Sequence, residues 1–432
     1  MVSRPLPTRT SYKHDSNSST LPKDQTEEEK RLTEKFATHR RLVPLVSQND
    51  DVLFLNAASA PPSNLIVHEA ITKYSASALY SDYPHPQWRE TREEARALIA
   101  RLINAETPET IAFTRDTTEG LGSVIRSLRF ERGDNVVVVD TEHPNQVYAW
   151  LALRDAGLEV RFVPTIAQAE EVGFIDAVDA DTLRPYVDKR TRAIGLSSVS
   201  FDSGQRNDVA GISAAFRPAG IHILIDAAQH VANAQLDVQA DGVSAAVFTL
   251  HKAMNCPTGI GALYVAPEAH ADLVSVPPIV SMQGVRNMSE NLVVKPDEPV
   301  EYYTDARRFE HANMSLVGVV AAAAFARVFI EVLGPADVEA WLYYLTELLR
   351  AECERLGVRV LGPREKSRRA PHIVILDLDT KVWAAHLRDY GRVRYTVNRL
   401  GFRISFGFFN SVEDVKRFVR VLELGIARGL VV

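Results

Sequence analysis

Residues 221–229 read IHILIDAAQ, and this stretch indicates the class of fold. Bulky and β-branched apolar residues dominate it up to Asp226. A short continuous apolar run of this kind predicts a strand that is covered on both faces, as in a parallel sheet. Asp226 would then stand at the carboxyl end of that strand, where ligand crevices lie in α/β sheets.

Similar apolar runs occur on both sides of this stretch and predict further strands. They lie at 111–114 (IAFT), 135–140 (NVVVVD), 193–197 (AIGLS) and 262–265 (ALYV). Between them, apolar residues recur at helical spacing, as at Leu121, Val124, Ile125 and Leu128. The alternation predicts an α/β fold, with a three-layer large domain that has a mainly parallel sheet and helices on both sides.

The pattern changes after about residue 315 and predicts a smaller C-terminal α+β domain. Ser411 with Asp414 resembles a capping box that opens a final helix. Before it we expect a long helix after residue 315, a second near 337–356, and strands near 372–378 and 402–406. We therefore place a disordered N-terminal tail at 1–26, the large domain at 27–315 and the small domain at 316–432, with 27–48 as a candidate to pack beside the small domain.

The composition argues against several classes of protein. The 432 residues include 49 basic and 55 acidic side chains, and the net charge of −6 argues against a general binder of nucleic acid or of anionic membranes. Two cysteines, Cys256 and Cys353, exclude a disulfide scaffold and a multi-cysteine zinc site, so we expect no metal and a reducing, cytoplasmic location. The longest apolar run, 315–333, contains Arg327 and Glu331 and predicts a buried helix rather than a membrane span.

The candidate nucleophile is Lys252, which follows the apolar run in residues 245–252, AAVFTLHK. A surface lysine at the edge of a strand is the alternative. A buried amine has a lowered pKa and becomes a nucleophile that can form a Schiff base. Asp226, 26 positions earlier, could keep a heterocyclic nitrogen protonated, although a strand-end turn or an N-cap is also common for aspartate. The two residues are spaced for neighbouring strands.

Two further motifs follow predicted strands. Thr117 and Thr118 open the helix that contains Leu121, and hydroxyls and free amides at a helix N-terminus make a phosphate site. An ordinary threonine cap is the alternative. His143 follows the 135–140 strand, where an imidazole could stack on a flat ring or be purely structural.

An aromatic cluster is indicated before these motifs. Tyr80, Tyr83, His85 and Trp88 lie close together in sequence. They could shape the mouth of a pocket, but we expect them to pack in the core.

Together these features resemble the class V branch of the fold type I pyridoxal-phosphate enzymes. That branch includes cysteine desulfurases, selenocysteine lyases, kynureninase and isopenicillin-N-epimerase-like proteins. The resemblance extends from 54–58 (FLNAA) to Arg403 and 409–414 (FNSVED). It implies the cofactor pyridoxal 5'-phosphate, an amino-acid-derived substrate and a homodimer with shared active sites.

The resemblance also implies roles for residues around the cofactor ring. Lys252 would carry the cofactor as a Schiff base, and Asp226 would pair with the pyridinium nitrogen. Gln229 would contact the ring hydroxyl, and His143 would stack on the ring. Arg403 would bind the α-carboxylate of the substrate, through the two-pronged geometry of a guanidinium group.

The phosphate group of the cofactor has its own implied residues. Thr118 would hold it with help from Thr117, Thr249 and His251. A loop over residues 308–313 would reach the phosphate bound by the partner subunit. Asn313 in this loop stands where relatives often carry threonine.

The sequence departs from its relatives at two places. Cysteine desulfurases need a nucleophilic cysteine on a mobile loop, and the corresponding residues 392–400 contain none. Neither Cys256 nor Cys353 stands where sulfur transfer would need it, so a persulfide-forming desulfurase is not expected. Phe201 stands where several relatives place an asparagine that contacts the substrate carboxylate, which implies a more apolar substrate or simply packing.

The predicted function is therefore that of an isopenicillin-N-epimerase-like enzyme. It would act on an α-amino acid through an external aldimine and a Cα carbanion (quinonoid). The alternatives are a lyase for β- or γ-elimination, a cyclase that forms carbon–carbon bonds in a secondary pathway, and an aminotransferase. A non-catalytic binding protein on the same fold is a more remote alternative.

Overall fold

The computed structural model of the chain describes residues 25–49, 51–166, 175–274, 276–289, 294 and 296–432. The predicted tail, 1–26, lies outside the described residues except for its last two positions. Of these, Gln25 donates a 2.6 Å hydrogen bond to the Tyr344 hydroxyl, and Thr26 caps the first helix.

Helices and strands alternate along the first two thirds of the chain. The α-helices are α1 (Glu27–His39), α2 (Pro44–Ser47), α3 (Leu65–Tyr80), α4 (His85–Leu102), α5 (Thr117–Ile125), α6 (Pro144–Leu151), α7 (Ala180–Leu183), α8 (Val209–Phe216), α9 (Leu316–Val328), α10 (Pro335–Leu356), α11 (Thr380–Ala385) and α12 (Val412–Ala427). Short 3₁₀ turns lie at Arg40–Leu42, Pro108–Thr110, Arg184–Tyr186, Arg217–Ala219, Pro267–Asp272, Met282–Gly284, Ala306–Phe309 and Lys366–Arg368, and π turns extend α9 over Phe329–Leu333 and α11 over His386–Tyr390.

The strands form three sheets in the described part of the chain. They are β1 (Leu53–Phe54), β2 (Ile111–Thr114), β3 (Asn135–Val139), β4 (Glu159–Val163), β5 (Thr191–Ser197), β6 (His222–Asp226), β7 (Ala245–Thr249), β8 (Gly261–Val265), β9 (Val360–Leu361), β10 (Ile373–Leu376), β11 (Val393–Arg394), β12 (Thr396–Asn398) and β13 (Gly401–Ser405).

The large sheet has seven strands in the order β2-β8-β7-β6-β5-β3-β4. Strand β8 runs antiparallel to its neighbours β2 and β7, and the other neighbouring pairs are parallel. All residues of β2, β3, β7 and β8 are buried, as expected for strands covered on both faces. The prediction of an α/β fold with a mainly parallel sheet is confirmed.

The C-terminal part has an antiparallel sheet of four strands, β12-β13-β10-β9. A separate parallel pair joins β1 to β11. Strands β10 and β13 occupy the two regions where the sequence predicts strands. Ser411 and Asp414 form the expected capping box at the start of α12.

The N-terminal helix α1 contacts the C-terminal helices. Arg31 pairs with Asp337 at 2.7 Å, and the ring of Phe36 stacks on Trp341 with centroids 5.4 Å apart. Just beyond α1, Arg40 pairs with Asp414 at 2.6 Å. These contacts join the beginning of the chain to its end, while the domain boundaries at 26/27 and 315/316 remain predictions.

The segment Leu316–Leu333 is long and apolar enough to cross a membrane by length and composition. Half of it is buried inside the protein, where it packs on α3 and α4. Val319, Ala322 and Phe325 on its inward face are completely buried. A helix in the core of a protein can be equally long and apolar. Packing against α3 and α4 therefore accounts for the apolar sequence of Leu316–Leu333.

The prediction that the aromatic cluster packs in the core is wrong for three of its members, Tyr80, Tyr83 and His85, which are exposed, and Trp88 is only partly buried. Tyr80 and Tyr83 are 84% and 63% exposed. Tyr83, His85 and Trp88 instead line a surface cavity of about 450 Å³. They lie at the end of α3 and the start of α4, where the helix junction turns the rings outward.

Candidate active site

The carboxyl ends of neighbouring strands bring the candidate residues together. In the register of the large sheet, Ser197 at the end of β5 pairs with Asp226 at the end of β6. Asp226 in turn pairs with Val247, two residues before β7 ends at Thr249. Because these strands are parallel, the residues that follow them meet at one edge of the sheet.

Lys252 lies in the turn that follows β7 and is half-buried. Burial lowers the pKa of its amine, the charge of Asp226 partly offsets this effect, and the charge of Arg403 adds to it. The amine therefore lies within electrostatic range of both Asp226 and Arg403. A lowered pKa makes the uncharged, nucleophilic form of the amine more accessible.

Asp226 is buried, and burial raises the pKa of its carboxyl group. The positive charge of Lys252 opposes that increase, as do a 2.9 Å hydrogen bond from the amide of Ala228 and the nearby His143. This hydrogen bond closes a turn at the end of β6, which is the structural role that the sequence analysis gave as an alternative for Asp226. The turn fixes one carboxylate oxygen and leaves the group beside the lysine.

The imidazole of His143 faces the ring of Phe201. The two ring centroids are 5.0 Å apart, and the rings meet edge to face at 66°. His143 also caps α6, because its Nδ1 atom accepts a 3.2 Å hydrogen bond from the amide of Asn145. Burial lowers the pKa of His143, so its neutral form is favoured.

The N-terminus of α5 offers hydroxyl groups and amides, but its cap is Asp116 rather than a threonine. Asp116 accepts a 2.9 Å hydrogen bond from the amide of Glu119. The hydroxyl of Thr117 is buried and has no hydrogen-bond partner among the described residues. The hydroxyl of Thr118 accepts a 2.7 Å hydrogen bond from the side chain of Asn145.

Thr249 and His251 lie at the end of β7 and are hydrogen-bonded to each other through the hydroxyl and Nδ1. The pKa of His251 is lowered by burial and by Lys252, and the charge of Asp116 opposes this effect. The interaction with Asp116 places His251 near the start of α5. Four residues are predicted to hold the phosphate group. The structure places Thr117 and Thr118 at the N-terminus of α5, and Thr249 and His251 at the carboxyl end of β7.

Arg403 reaches this edge from the four-stranded sheet. Its Nη1 atom donates a 2.8 Å hydrogen bond to the carbonyl oxygen of Phe201, and Nη2 lies 3.4 Å from the hydroxyl of Thr396. Its Nε atom is buried and has no acceptor in the described parts of the chain. Burial lowers the pKa of Arg403 to about 10. A buried guanidinium group with an unused donor is suited to bind a carboxylate.

Gln229 is held between the two sheets. Its amide nitrogen donates a 2.8 Å hydrogen bond to the carbonyl oxygen of Ala58, and its oxygen lies 3.2 Å from Nε2 of His372. His372 is completely buried, and burial lowers its pKa to about 3. The histidine is therefore neutral at physiological pH, and its position orients Gln229.

The model of the aminotransferase class-V family matches residues 52–418, most of the chain. The chain belongs to the class V aminotransferase family. The members of this family are pyridoxal-phosphate-dependent enzymes, and this chain is therefore an enzyme of that kind.

Curated relatives and solved structures agree with this assignment. An uncharacterized protein of Schizosaccharomyces pombe is 42% identical and covers 92% of this chain and 89% of its own length. An uncharacterized aminotransferase of the same yeast is 40% identical and covers 91% of this chain and 96% of its own. The apo structure of a cysteine desulfurase from Thermococcus onnurineus superposes with a TM-score of 0.77 at 22% identity and covers 91% of this chain and 98% of its own, which shows the same fold.

The candidate site of this member of the class V aminotransferase family has residues that suit pyridoxal phosphate. The unused hydroxyl of Thr117 and the start of α5 suit a phosphate group. The amine of Lys252, with its lowered pKa, suits an aldehyde, and the carboxyl group of Asp226 suits a ring nitrogen. Among the described residues, no group of three or more His, Cys, Asp or Glu side chains is arranged to hold a metal ion.

Asn313 is the one candidate residue that the structure does not bring to this edge. It is exposed and lines the surface cavity that Tyr83 and Trp88 also line. Its loop is connected to α5 by His311, whose Nε2 atom lies 3.0 Å from Glu119.

Sequence reasoning missed Glu142, Asn145 and His372. Glu142 is buried beside Asp226 and accepts hydrogen bonds of 2.7 and 2.6 Å from the amide and hydroxyl of Ser197. Burial raises the pKa of Glu142 to about 7, an increase that these hydrogen bonds oppose and that Asp226 adds to. The sequence could have indicated Glu142 by its position directly before His143. Its burial, however, depends on packing against β5, which the sequence does not show.

Proposed function

We propose that this member of the class V aminotransferase family binds pyridoxal 5'-phosphate at Lys252 and transfers a proton at the Cα atom of an α-amino acid, in the manner of isopenicillin-N-epimerase-like proteins. The proposal rests on the half-buried Lys252, whose amine has a lowered pKa and lies within electrostatic range of both Asp226 and Arg403. One side chain can thus serve as nucleophile and as base, next to a group that binds carboxylates.

The cofactor would be held at both of its ends. Thr117, Thr118, Thr249 and His251 would hold the phosphate group. Asp226 would face the ring nitrogen, Gln229 the ring hydroxyl and His143 the face of the ring. When bound, pyridoxal phosphate acts as an electron sink that stabilises negative charge at Cα.

The residues of the chain have separate tasks around the reacting carbon atom. Arg403 would orient the substrate through its α-carboxylate, for which its buried Nε atom is available. Lys252 would take up the proton from Cα and return it, because its lowered pKa favours the free amine. Phe201, packed on His143, would exclude water from one side and favour an apolar substrate side chain.

The positions of the cysteines support a reaction other than persulfide formation. Residues 392–400 contain no cysteine, and two short strands, β11 and β12, lie within them. Cys256 and Cys353 are buried, and burial raises the pKa of both thiols, that of Cys353 to about 12. A buried thiol with a raised pKa is a poor nucleophile.

Transamination is the second candidate reaction, because one relative that is 40% identical is named an aminotransferase. Elimination and cyclisation would share the same first proton transfer. These reactions differ in the fate of the amino nitrogen: transamination releases a keto acid and leaves the nitrogen on the cofactor, whereas elimination releases a keto acid together with ammonia.

Cofactor binding is tested by the absorbance of the purified protein with added pyridoxal phosphate. We expect a near-visible band from the Schiff base that is lost in Lys252→Ala and retained in Lys381→Ala, which changes an exposed lysine at the start of α11. The absence of the band in the unmodified protein would favour a binding protein on the same fold.

The reaction is tested in deuterated water with a panel of α-amino acids. We expect deuterium at Cα and inversion of configuration without release of a keto acid. A keto acid formed without ammonia, together with conversion of the cofactor to its amine form, would support transamination, whereas a keto acid formed with ammonia would support elimination. Lys252→Ala should abolish the exchange with every amino acid, because it removes the proposed base.

We also propose a homodimer with shared active sites and a cytoplasmic location. The exposed Asn313 supports the first point, because its loop would serve the partner subunit. The two free, buried thiols support a reducing compartment. Sedimentation of the purified protein tests the dimer, and a monomer that retains full Cα exchange would contradict shared sites.

A further inference from the structure

A separate cavity of about 420 Å³ lies in the C-terminal part of the chain, beside α10. Arg350 and Arg369 line it with Glu347, Glu354 and Val358. None of these residues belongs to the candidate active site. The cavity is large enough for a small organic or inorganic anion, and two guanidinium groups are its most distinctive feature.

Both arginines have donors that the described residues do not use. Arg350 has no hydrogen bond and no ion pair with any described residue, although it is half-buried. Arg369 is only 9% exposed and pairs with Glu347 at 2.9 Å through Nη2. Its Nε atom is buried and finds no acceptor in the part of the chain that the structure describes. Buried donors of this kind usually have a partner.

The charges in the cavity also favour an anion. Burial and the like charge of Arg369 together lower the pKa of Arg350 to about 10, although Glu347 opposes both effects. Glu347 is already paired with Arg369, and Glu354 is exposed at the rim. An anion placed between the two guanidinium groups would relieve their repulsion and satisfy the unused donors.

We propose that this cavity is a regulatory site that binds a small oxyanion, a carboxylate or phosphate group, through Arg350 and Arg369. Guanidinium groups bind either kind of group through paired hydrogen bonds. The apolar Val358 would leave room for a short carbon chain beside the anionic group.

The backbone around Arg369 connects this cavity to the loop that carries Phe201. Arg369 forms an isolated antiparallel β-bridge with Gln205. On either side of it, the amide of Arg206 donates to the carbonyl oxygen of Arg368 at 2.9 Å, and the amide of Ala370 donates to that of Gly204 at 2.8 Å. An anion that orders Arg369 would therefore also stabilise residues 198–206, at one end of which Arg403 and Phe201 meet.

Binding is tested by calorimetry on the protein loaded with pyridoxal phosphate, which occupies the other phosphate site. Inorganic phosphate and succinate are the two probes and distinguish the phosphate from the carboxylate source. We expect saturable binding of at least one probe, weakened about tenfold or more in Arg350→Gln, as for the loss of a charge-assisted hydrogen bond. Arg154→Gln, which removes an exposed charge elsewhere, should bind like the unmodified protein.

Hydrogen exchange on the same samples tests the connection. The probe that binds should slow amide exchange in residues 198–206 of the unmodified protein and of Arg154→Gln, but not of Arg350→Gln. Equal binding by Arg350→Gln, or no saturable binding of either probe, would overturn the site. Binding without a change in exchange over 198–206 would overturn its regulatory role.

If Arg350→Gln does not fold, Arg350→Lys replaces it, because lysine keeps the charge but loses the planar fork. Weaker binding of the probe and no slowing of amide exchange over 198–206 are then expected of Arg350→Lys.

Discussion

Arg403 donates a 2.8 Å hydrogen bond to the main-chain oxygen of Phe201. The arginine belongs to β13 of the four-stranded sheet, whereas Phe201 lies in the loop that follows β5 of the seven-stranded sheet. This contact holds the guanidinium group in place while its buried Nε atom has no acceptor among the described residues. The arginine is therefore oriented before any substrate arrives, which reduces the entropy lost on binding.

We first predict that Arg403→Lys weakens substrate binding. Lysine keeps the charge but loses the planar fork, so KM for any amino acid that exchanges its Cα proton should rise about tenfold or more. Arg394→Lys, on the exposed side of β11, is the matched control and should leave KM unchanged. Steady-state measurement of deuterium exchange gives KM for each of the two variants. An unaltered KM in Arg403→Lys would remove this residue from the substrate site.

The second prediction concerns Asp202 and Arg399, which form an ion pair between the loop after β5 and the turn after β12. The side chain of Asp202 is 3% exposed and that of Arg399 is 46% exposed. Arg399→Ala would leave the carboxylate of Asp202 buried without its partner, at a cost of about 1–2 kcal/mol, reduced because the arginine is half exposed. Urea denaturation at neutral pH measures this loss.

The loss of stability in Arg399→Ala should depend on pH. Burial raises the pKa of Asp202, and Arg399 opposes that increase, so removal of the arginine raises the pKa further. The variant should therefore recover stability relative to the unmodified protein as the pH falls and Asp202 takes up a proton. Asp202→Asn should reduce the effect of Arg399→Ala to near zero. This explanation would be contradicted if Arg399→Ala lowered the free energy of unfolding equally at all pH values, and equally in the unmodified protein and in Asp202→Asn.

The third prediction concerns Glu142, whose pKa is raised to about 7 mainly by burial. The folded state holds this proton more tightly than the unfolded state, where a glutamate has a pKa near 4.3. The contribution to stability is therefore full below about pH 4 and is lost as the pH rises to about 7, with a total on the order of 3 kcal/mol. Glu142→Gln does not titrate and still accepts a hydrogen bond from Ser197.

Denaturation of both proteins over a series of pH values tests this prediction. The stability of Glu142→Gln relative to the unmodified protein should increase as the pH rises from about 4 to about 7 and then level off. Glu413→Gln, at the exposed start of α12, should show no such trend. A parallel course of the two curves would mean that Glu142 does not carry a raised pKa.

The fourth prediction compares two glycines of α5. A Cβ atom on Gly120 would lie 2.4 Å from a methyl carbon of Val247, so Gly120→Ala should destabilise the protein by about 1–3 kcal/mol and displace the start of the helix. A Cβ atom on Gly122 would meet nothing within 4 Å, and Gly122→Ala should add about 0.5–1 kcal/mol. Thermal unfolding shows whether each substitution raises or lowers the stability of the protein. The affinity for pyridoxal phosphate should fall only in Gly120→Ala.

Much of the fold could be predicted because most strands of the large sheet contain an apolar run, although β4 (EVRFV) does not, and because helices such as α5 have their own periodicity. Residues 135–140 and 221–226 are examples, and the structure has strands there. Asp226 and Lys252 could be named as partners because both follow such strands, and parallel strands end at one edge. The same local reasoning failed for Tyr80 and Tyr83, since an aromatic side chain does not specify by itself whether another element covers it.

The sequence by itself determined the alternation of strands and helices, the edge of the sheet at which the candidate residues gather, and the family. Only the tertiary structure decided that Glu142 is buried beside Asp226, that His372 contacts Gln229, and that Asn313 lies away from the site of its own chain. The physical reason is the range of the interactions. Periodicity and capping act within a few residues, whereas burial and the pKa values that depend on it arise from segments far apart in the chain, as with Gln229 and His372.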